Sequence, residues 1–183
     1  MAEILLSSEA FVKSQTSVSD NLSGKYILPS LREAQEIGLK GILGDCLLSK
    51  LKSLVKDGTI EASANQKYKE LIDRCQYYLA YVTVVEVTNK TTFKVGNFGV
   101  SKSSDENMQV ATQDEVAKMQ YYYQSKADAC CLDLQNYLME NRSSFPELNE
   151  CDCRRISSNL YSAATCGIFL GGARGKSKGG CRR

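Results

Sequence analysis

The sequence predicts a mainly α protein: a helical bundle with a small β-hairpin, an extended N-terminal leader and a basic, glycine-rich C-terminal arm. The 183-residue chain has only two prolines, so few positions break a helix. Apolar residues recur at steps of three and four over long stretches, as on one face of a helix. Capping boxes at Ser30 with Glu33 and at Thr112 with Glu115 indicate two helix starts.

These patterns divide the chain into a leader (1–29), a helical domain (30–170) and a flexible basic arm (171–183). The leader has short apolar pieces separated by serine, asparagine and glycine, so we expect it to be mostly extended. The first predicted helix follows Pro29, and Leu31, Ala34 and Ile37 form its apolar stripe.

Further breaks and caps place the remaining helices. Gly44 should end or bend the first helix, and Asp57-Gly58 should end a second one. A third helix should begin near Ser63. Residues 91–101 read as a small hairpin that turns at Gly96-Asn97. A long helix should run from Thr112 to about Asn141, with its apolar stripe on one side. The stripe consists of Val116, Met119, Tyr123, Ala127, Cys130, Leu134 and Leu138.

The segment Tyr77–Val87 is unusually apolar, since only Thr83 and Glu86 interrupt it. A helix that is apolar all round is buried on all sides, which in so small a protein indicates that a neighbouring subunit covers one side. Two alternatives stay open: a central core helix of one chain, or a strand that starts near Val82. The candidates for subunit or core packing are Tyr77, Tyr81 and Val85.

The composition argues against an enzyme. The chain has no histidine, which excludes Ser-His and Cys-His nucleophile pairs and every histidine metal ligand. Gly175-Lys176-Ser177 lacks the first glycine of a P-loop, because Leu170 stands at that position. We therefore expect no catalytic residues and no cofactor.

Eight cysteines are present, and the N-terminus lacks the pattern of a signal peptide, so free thiols are expected. A zinc site from Cys151, Cys153, Cys166 and Cys181 is conceivable, but the usual knuckle spacing is missing and we predict no metal. The apolar runs are too short to span a bilayer, so we expect no membrane association.

Charge is concentrated at the C-terminus, where residues 171–183 hold five basic residues and no acidic one, while the rest of the chain is mildly acidic. The arm could be a solvated tail, a phosphate-neutralising contact to nucleic acid, or a segment that orders on a partner subunit. The apolar triplet before it favours the last interpretation. The candidate arm contacts are Ile168, Phe169, Leu170, Arg174, Lys176, Lys178, Arg182 and Arg183.

Several segments together resemble a known family. They are ILPSLREAQEIGLKGILGDCLLSKL from Ile27, YKELIDRCQYYLAYVTVVEV from Tyr68, FKVGNFGV from Phe93 and FPEL from Phe145. This order resembles the head–tail connector (adaptor, or head-completion) proteins of tailed bacteriophages, and most closely the neck ring proteins of crAss-like phages.

The resemblance implies a structural virion protein of the phage neck, assembled in the host cytoplasm. Such subunits form a homo-oligomeric ring, commonly of twelve, that docks on the portal protein. The ring extends the DNA channel and supports the next neck or tail protein, while genomic DNA passes without specific binding. The segment from Ile168 to Arg183 matches the arm that docks on the portal or a neighbour. The alternative is a helical nucleic-acid-binding protein that uses its basic tail.

Overall fold

The computed structural model describes residues 4–96, 99–102 and 112–150, which form a mainly helical unit as predicted. Contacts along the chain divide it into Met1–Cys153 and Arg154–Arg183, and all described residues belong to the first unit. The predicted arm contacts from Ile168 onward and the four cysteines of the conceivable zinc site lie outside the described residues. No helix within the described ranges is long and apolar enough to cross a bilayer.

Within the described residues 4–29, the prediction of a mostly extended leader is wrong where two helices form. Helix α1 spans Glu9–Gln15, and α2 spans Gly24–Glu33. Each helix is capped by a serine, because Ser8 accepts a hydrogen bond from the amide of Phe11 and Ser23 accepts one from the amide of Lys25. The short polar pieces of the leader therefore act as helix caps.

The predicted cap at Ser30 is also wrong, because α2 has already begun at Gly24 and continues through Pro29. Ser30 lies inside the helix, is buried, and donates from Oγ to the carbonyl of Tyr26 at 2.9 Å. The chain then continues as a π-helical segment, Ala34–Leu39, in which the amide of Lys40 reaches the carbonyl of Gln35 five residues back.

The two predicted glycine breaks agree with the structure. Helix α3 spans Lys40–Leu43 and ends at Gly44, whose φ of 79° suits glycine best. Helix α4 spans Asp45–Lys56, and Gly58 follows it with a φ of 66°.

The two long helices form where the periodicity predicts them. After a 3₁₀ turn at Ser63–Asn65, α5 spans Gln66–Thr92, so the alternative of a strand from Val82 is wrong. Helix α6 spans Gln113–Glu140 and begins with the predicted capping box. The amide of Thr112 donates to Glu115 Oε2 at 2.8 Å, and the amide of Glu115 donates to Thr112 Oγ1 at 3.3 Å.

Short elements complete the described chain. Strand β1, Phe93–Gly96, pairs with β2, Gly99–Lys102, in antiparallel register that sets Phe93 opposite Lys102. Thr91, which the sequence places in the hairpin, belongs to α5 instead. A 3₁₀ turn at Arg142–Ser144 and helix α7 at Glu147–Glu150 follow α6.

Helix α5 is central, since α1, α2, the π segment and α6 all pack against it. The core is mainly aliphatic, and the buried ring of Phe145 meets that of Tyr68 edge to face at 5.3 Å between centroids. The largest fully buried apolar side chains are Phe145, Ile27, Leu31, Leu39, Leu43, Leu47, Leu51, Leu71, Leu79, Leu134 and Leu138.

Candidate interface surfaces

The apolar segment from Tyr77 to Val87 is covered mostly by its own chain. Tyr81 and Val85 are half-buried, and Tyr77 is 43% exposed with its ring edge to face against Phe11. The inference that a neighbouring subunit must cover this segment is therefore wrong for most of it, because helices of the same chain surround α5. The buried members are Tyr78, Leu79, Ala80, Thr83, Val84 and Val87.

Tyr81 belongs to an aromatic cluster that joins α5 to α6. The ammonium of Lys126 lies 4.5 Å from the ring centroid of Tyr122, 5.2 Å from that of Tyr81 and 6.0 Å from that of Tyr123. Such cation–π contacts stabilise the juxtaposition of the two helices. The hydroxyl of Tyr123 also accepts a 2.9 Å hydrogen bond from the amide of Ser17, which ties the N-terminal region to α6.

A second set of contacts holds the N-terminal segment. The amide of Leu6 donates to Gln35 Oε1 at 2.8 Å, and Gln35 Nε2 donates to the carbonyl of Ile4 at 3.0 Å. Gln76 Nε2 donates to the carbonyl of Leu6 at 3.1 Å. The side-chain amides of Gln35 and Gln76 thus both bind one short backbone segment, and the side chain of Leu6 lies in the core.

The thiols have little nucleophilic character. Burial raises the pKa of Cys75, and burial also raises the pKa of Cys130 and of Cys131, so each stays protonated at neutral pH. Those three cysteines are free, as expected. Cys46 is disulfide-bonded, so the expectation of free thiols is wrong at that position. Within the described ranges, no group of three or more cysteine, aspartate or glutamate side chains lies close enough together to bind a metal ion.

Exposed apolar side chains gather instead on the outer side of α6. We define the α6 ridge as a row of exposed residues at steps of three and four: Tyr121, Ser125, Asp128, Leu132, Asn136 and Met139. Tyr121 is 77% exposed, Leu132 49% and Met139 60%. These three apolar side chains alternate along the row with the polar residues Ser125, Asp128 and Asn136, and they make this helix face a candidate surface for binding another protein.

A second exposed row follows the helix that runs from α2 into α3. We define the α2–α3 ridge as Leu28, Arg32, Ile37 and Gly41, all exposed, with Ile37 at 76%. The sequence predicts Ile37 on the buried stripe, which is wrong. The π segment adds a residue to one turn, so counting at 3.6 residues per turn assigns Ile37 to the wrong side.

Sequence reasoning missed both ridges as sites. The sequence does contain one signal for an exposed aromatic residue. Tyr121, Tyr122 and Tyr123 are consecutive, so on a helix they cannot all face the protein core. Leu132 and Met139 also lie off the predicted apolar stripe of the long helix. The structure buries Tyr123 and leaves the other two tyrosines exposed.

Comparison with known proteins found no significant match to a curated protein and none to a solved structure. One sequence family does match, a family of unknown function, DUF6712, over residues 39–158. The match runs from the end of the π segment through α6, and therefore includes the α6 ridge. Because it covers about two thirds of the chain, the protein belongs to the DUF6712 family.

Proposed function

We propose that this protein is a structural virion protein, a subunit of a phage head–tail connector ring. The ring would dock on the portal protein, extend the DNA channel and support the next neck or tail protein. The observation that carries the proposal is the pair of exposed apolar ridges on two different helices, with Ile37 and Tyr121 each about three-quarters exposed. Two different surfaces on each copy can be covered by repeating one contact around an axis.

The resemblance stated above supports the same proposal. Its two longest segments, Ile27–Leu51 and Tyr68–Val87, supply the helices that build the aliphatic core. A connector wall requires a rigid packed unit and surfaces for its neighbours, and it requires no catalytic group. The mildly acidic body would repel phosphate, so DNA would pass through the channel without specific binding.

Within this proposal the C-terminal arm makes the docking contact. Ile168, Phe169 and Leu170 would anchor on the portal or on a neighbouring subunit, and the basic residues from Arg174 to Arg183 would pair with acidic side chains there.

One observation favours a second function, DNA binding by the arm, because residues 171–183 carry five basic residues and no acidic one. This alternative predicts binding to duplex DNA that weakens steeply with salt and is lost when residues 171–183 are removed. The connector proposal predicts that the same truncation weakens docking on a protein.

Electron microscopy of the purified protein mixed with its cognate portal tests the proposal. We expect class averages that show an additional ring on the portal, most simply with twelvefold symmetry, and weaker docking by a Phe169→Glu variant. A Ser177→Glu variant, which adds the same charge in the arm but spares the apolar triplet, is the matched control. Portal particles without added density, together with salt-sensitive DNA binding, would favour the alternative.

A further inference from the structure

We propose that the site that binds Ile4–Leu6 in one copy also binds the same segment of a neighbouring copy. We define Ile4–Leu6 as the N-terminal strap, and Gln35 of the π segment with Gln76 of α5 as the strap site. The inference deepens the proposed function by naming a contact between neighbours, and it rests on that function in taking a second copy as the partner. Three observations carry it: how the strap is bound, that every copy has the same strap, and the state of the residue that links it to α1.

The strap is held by side chains and belongs to no helix or sheet. The amide of Leu6 donates to Gln35 Oε1 at 2.8 Å, and Gln35 Nε2 donates to the carbonyl of Ile4 at 3.0 Å. Gln76 Nε2 donates to the carbonyl of Leu6 at 3.1 Å. All three bonds end on the backbone of the strap, so the site requires a short piece of open backbone and no other part of the chain that supplies it.

The side chain of Leu6 adds a second element of recognition. It is 3% exposed and lies in the core, while Ile4 and Leu5 are half-buried. In proteins that bind extended peptides, backbone hydrogen bonds supply affinity and a pocket for a side chain supplies specificity. Every copy carries the same strap and the same site, so the strap of a neighbour fits this site as well as its own strap does.

The link between the strap and α1 is a single buried residue whose hydroxyl is unsatisfied. Ser7 alone separates Leu6 from Ser8, the N-cap of α1, and it is 8% exposed. Its Oγ has no hydrogen-bond partner among the described residues, which weakens the hold of the strap in its own site. When the strap reaches to a neighbour, the link leaves this position and water can satisfy the hydroxyl. A short, unfavourable link favours exchange of the element that it joins.

The length of the strap limits exchange to copies that touch. Beyond Ser8, the three residues of the strap and the linking Ser7 span at most about 14 Å when fully extended. A neighbour must therefore be in direct contact before its site comes within reach, as neighbours in a ring are. Such contact also raises the local concentration of the neighbour's strap, so that it competes with the strap of the same copy. The site stays filled in both arrangements, so the strap remains part of the fold.

Titration of an open site with the strap as a free peptide tests the inference. Leu6→Glu in the full chain puts a carboxylate where the core is apolar, so the strap should leave its own site. In two-dimensional NMR spectra of this variant, isotope-labelled, a synthetic peptide with the sequence of residues 1–8 should shift the side-chain amide signals of Gln35 and Gln76 to saturation. The same peptide with Leu6→Glu is the matched control and should shift neither signal. Adding Gln35→Ala to the labelled protein removes two hydrogen bonds and should weaken peptide binding by about tenfold, read from the Gln76 signal.

A second titration replaces the peptide by a whole copy. An unlabelled Gln35→Ala variant has an unaltered strap and a weakened site of its own, so its strap is free to bind the labelled Leu6→Glu variant. We expect the same two amide signals to shift. An unlabelled copy that carries both substitutions has no usable strap and should leave these signals unchanged, whatever other contacts the copies make.

The other outcomes contradict the inference. It is wrong if Leu6→Glu keeps the circular dichroism spectrum of the unaltered chain and the peptide shifts neither amide signal. A shift caused by the peptide but not by the second copy would mean that copies do not reach each other's site. If Leu6→Glu does not fold, refolding on addition of the peptide supports the inference and failure to refold contradicts it. Docking on the portal is measured separately by microscopy, so exchange can fail while the connector proposal stands.

Discussion

Leu6 and Gln35 lie 29 positions apart and are joined by a 2.8 Å hydrogen bond from the Leu6 amide to Gln35 Oε1. The Gln35 side chain is fully buried, and its Nε2 also donates to the carbonyl of Ile4. One side chain of the π segment therefore satisfies both a donor and an acceptor of the N-terminal backbone. We infer that this segment is a fixed part of the fold because of that side chain.

Gln35→Ala should reduce the free energy of unfolding by about 3 kcal/mol, because it removes the hydrogen-bond partner of the buried Leu6 amide and of the partly buried Ile4 carbonyl. Urea unfolding measures the change. Gln66→Ala is the control, since Gln66 is exposed and its side chain donates to Glu70 on the same helix; it should change the free energy by less than about 0.5 kcal/mol. Equal effects of the two substitutions would contradict the role of Gln35 in holding the N-terminal backbone.

Gly38→Ala should also destabilise the protein, because an ideal Cβ at Gly38 would lie 2.6 Å from the hydroxyl oxygen of buried Tyr78. Displacing that side chain should cost about 2 kcal/mol. Gly41→Ala is the control, since its Cβ meets open space and alanine favours a helix by up to about 1 kcal/mol. Adding Tyr78→Phe to Gly38→Ala should recover part of the loss, and no recovery would show that the hydroxyl is not the obstacle.

Thr83→Val should stabilise the protein by about 1 kcal/mol. Thr83 is fully buried in α5, and its Oγ1 has no hydrogen-bond partner among the described residues, so an apolar group of the same shape removes an unsatisfied hydroxyl. On the same helix, the Thr88 hydroxyl donates to the carbonyl of Val84 at 2.8 Å, so Thr88→Val should give no comparable gain. Chemical denaturation compares the two variants, and a loss of stability in Thr83→Val would contradict the assignment.

Stability should fall in alkali partly because of Tyr78. Burial is the main cause that raises the pKa of Tyr78 to about 12, from about 10 in an unfolded chain. The folded state thus favours the protonated phenol, and this contribution is present below about pH 10 and is lost as the pH rises toward 12. Unfolding measured from about pH 9 to about pH 12 should show a weaker dependence on pH for Tyr78→Phe. Tyr121→Phe, with an exposed ring, should keep the original dependence.

The helices that the sequence predicts well are those with local signals. The capping box at Thr112 and the glycines at 44 and 58 act within one turn of the chain, so they fix helix ends whatever the tertiary structure. The sequence does not predict the two N-terminal helices. Helix α1, capped by Ser8, has only seven residues, and helix α2, capped by Ser23, contains a proline, which usually marks a helix boundary. Ile37 was misplaced because a π turn changes the period on which the prediction depends.

The candidate surfaces were harder to predict. Whether Tyr121 or Tyr123 faces the core depends on how α6 is rotated against α5, and that rotation is set by packing between residues far apart in sequence. Tyr77 shows the opposite error. The apolar sequence around it predicts a covering subunit, but Phe11 of the same chain packs against its ring.

Native mass spectrometry of the portal mixed with this protein tests the central claim most directly. The account predicts a discrete complex whose mass exceeds that of the portal by a whole multiple of 20.2 kDa, with a multiple equal to the rotational order of the ring. A portal of unchanged mass beside a 20.2 kDa monomer would contradict it.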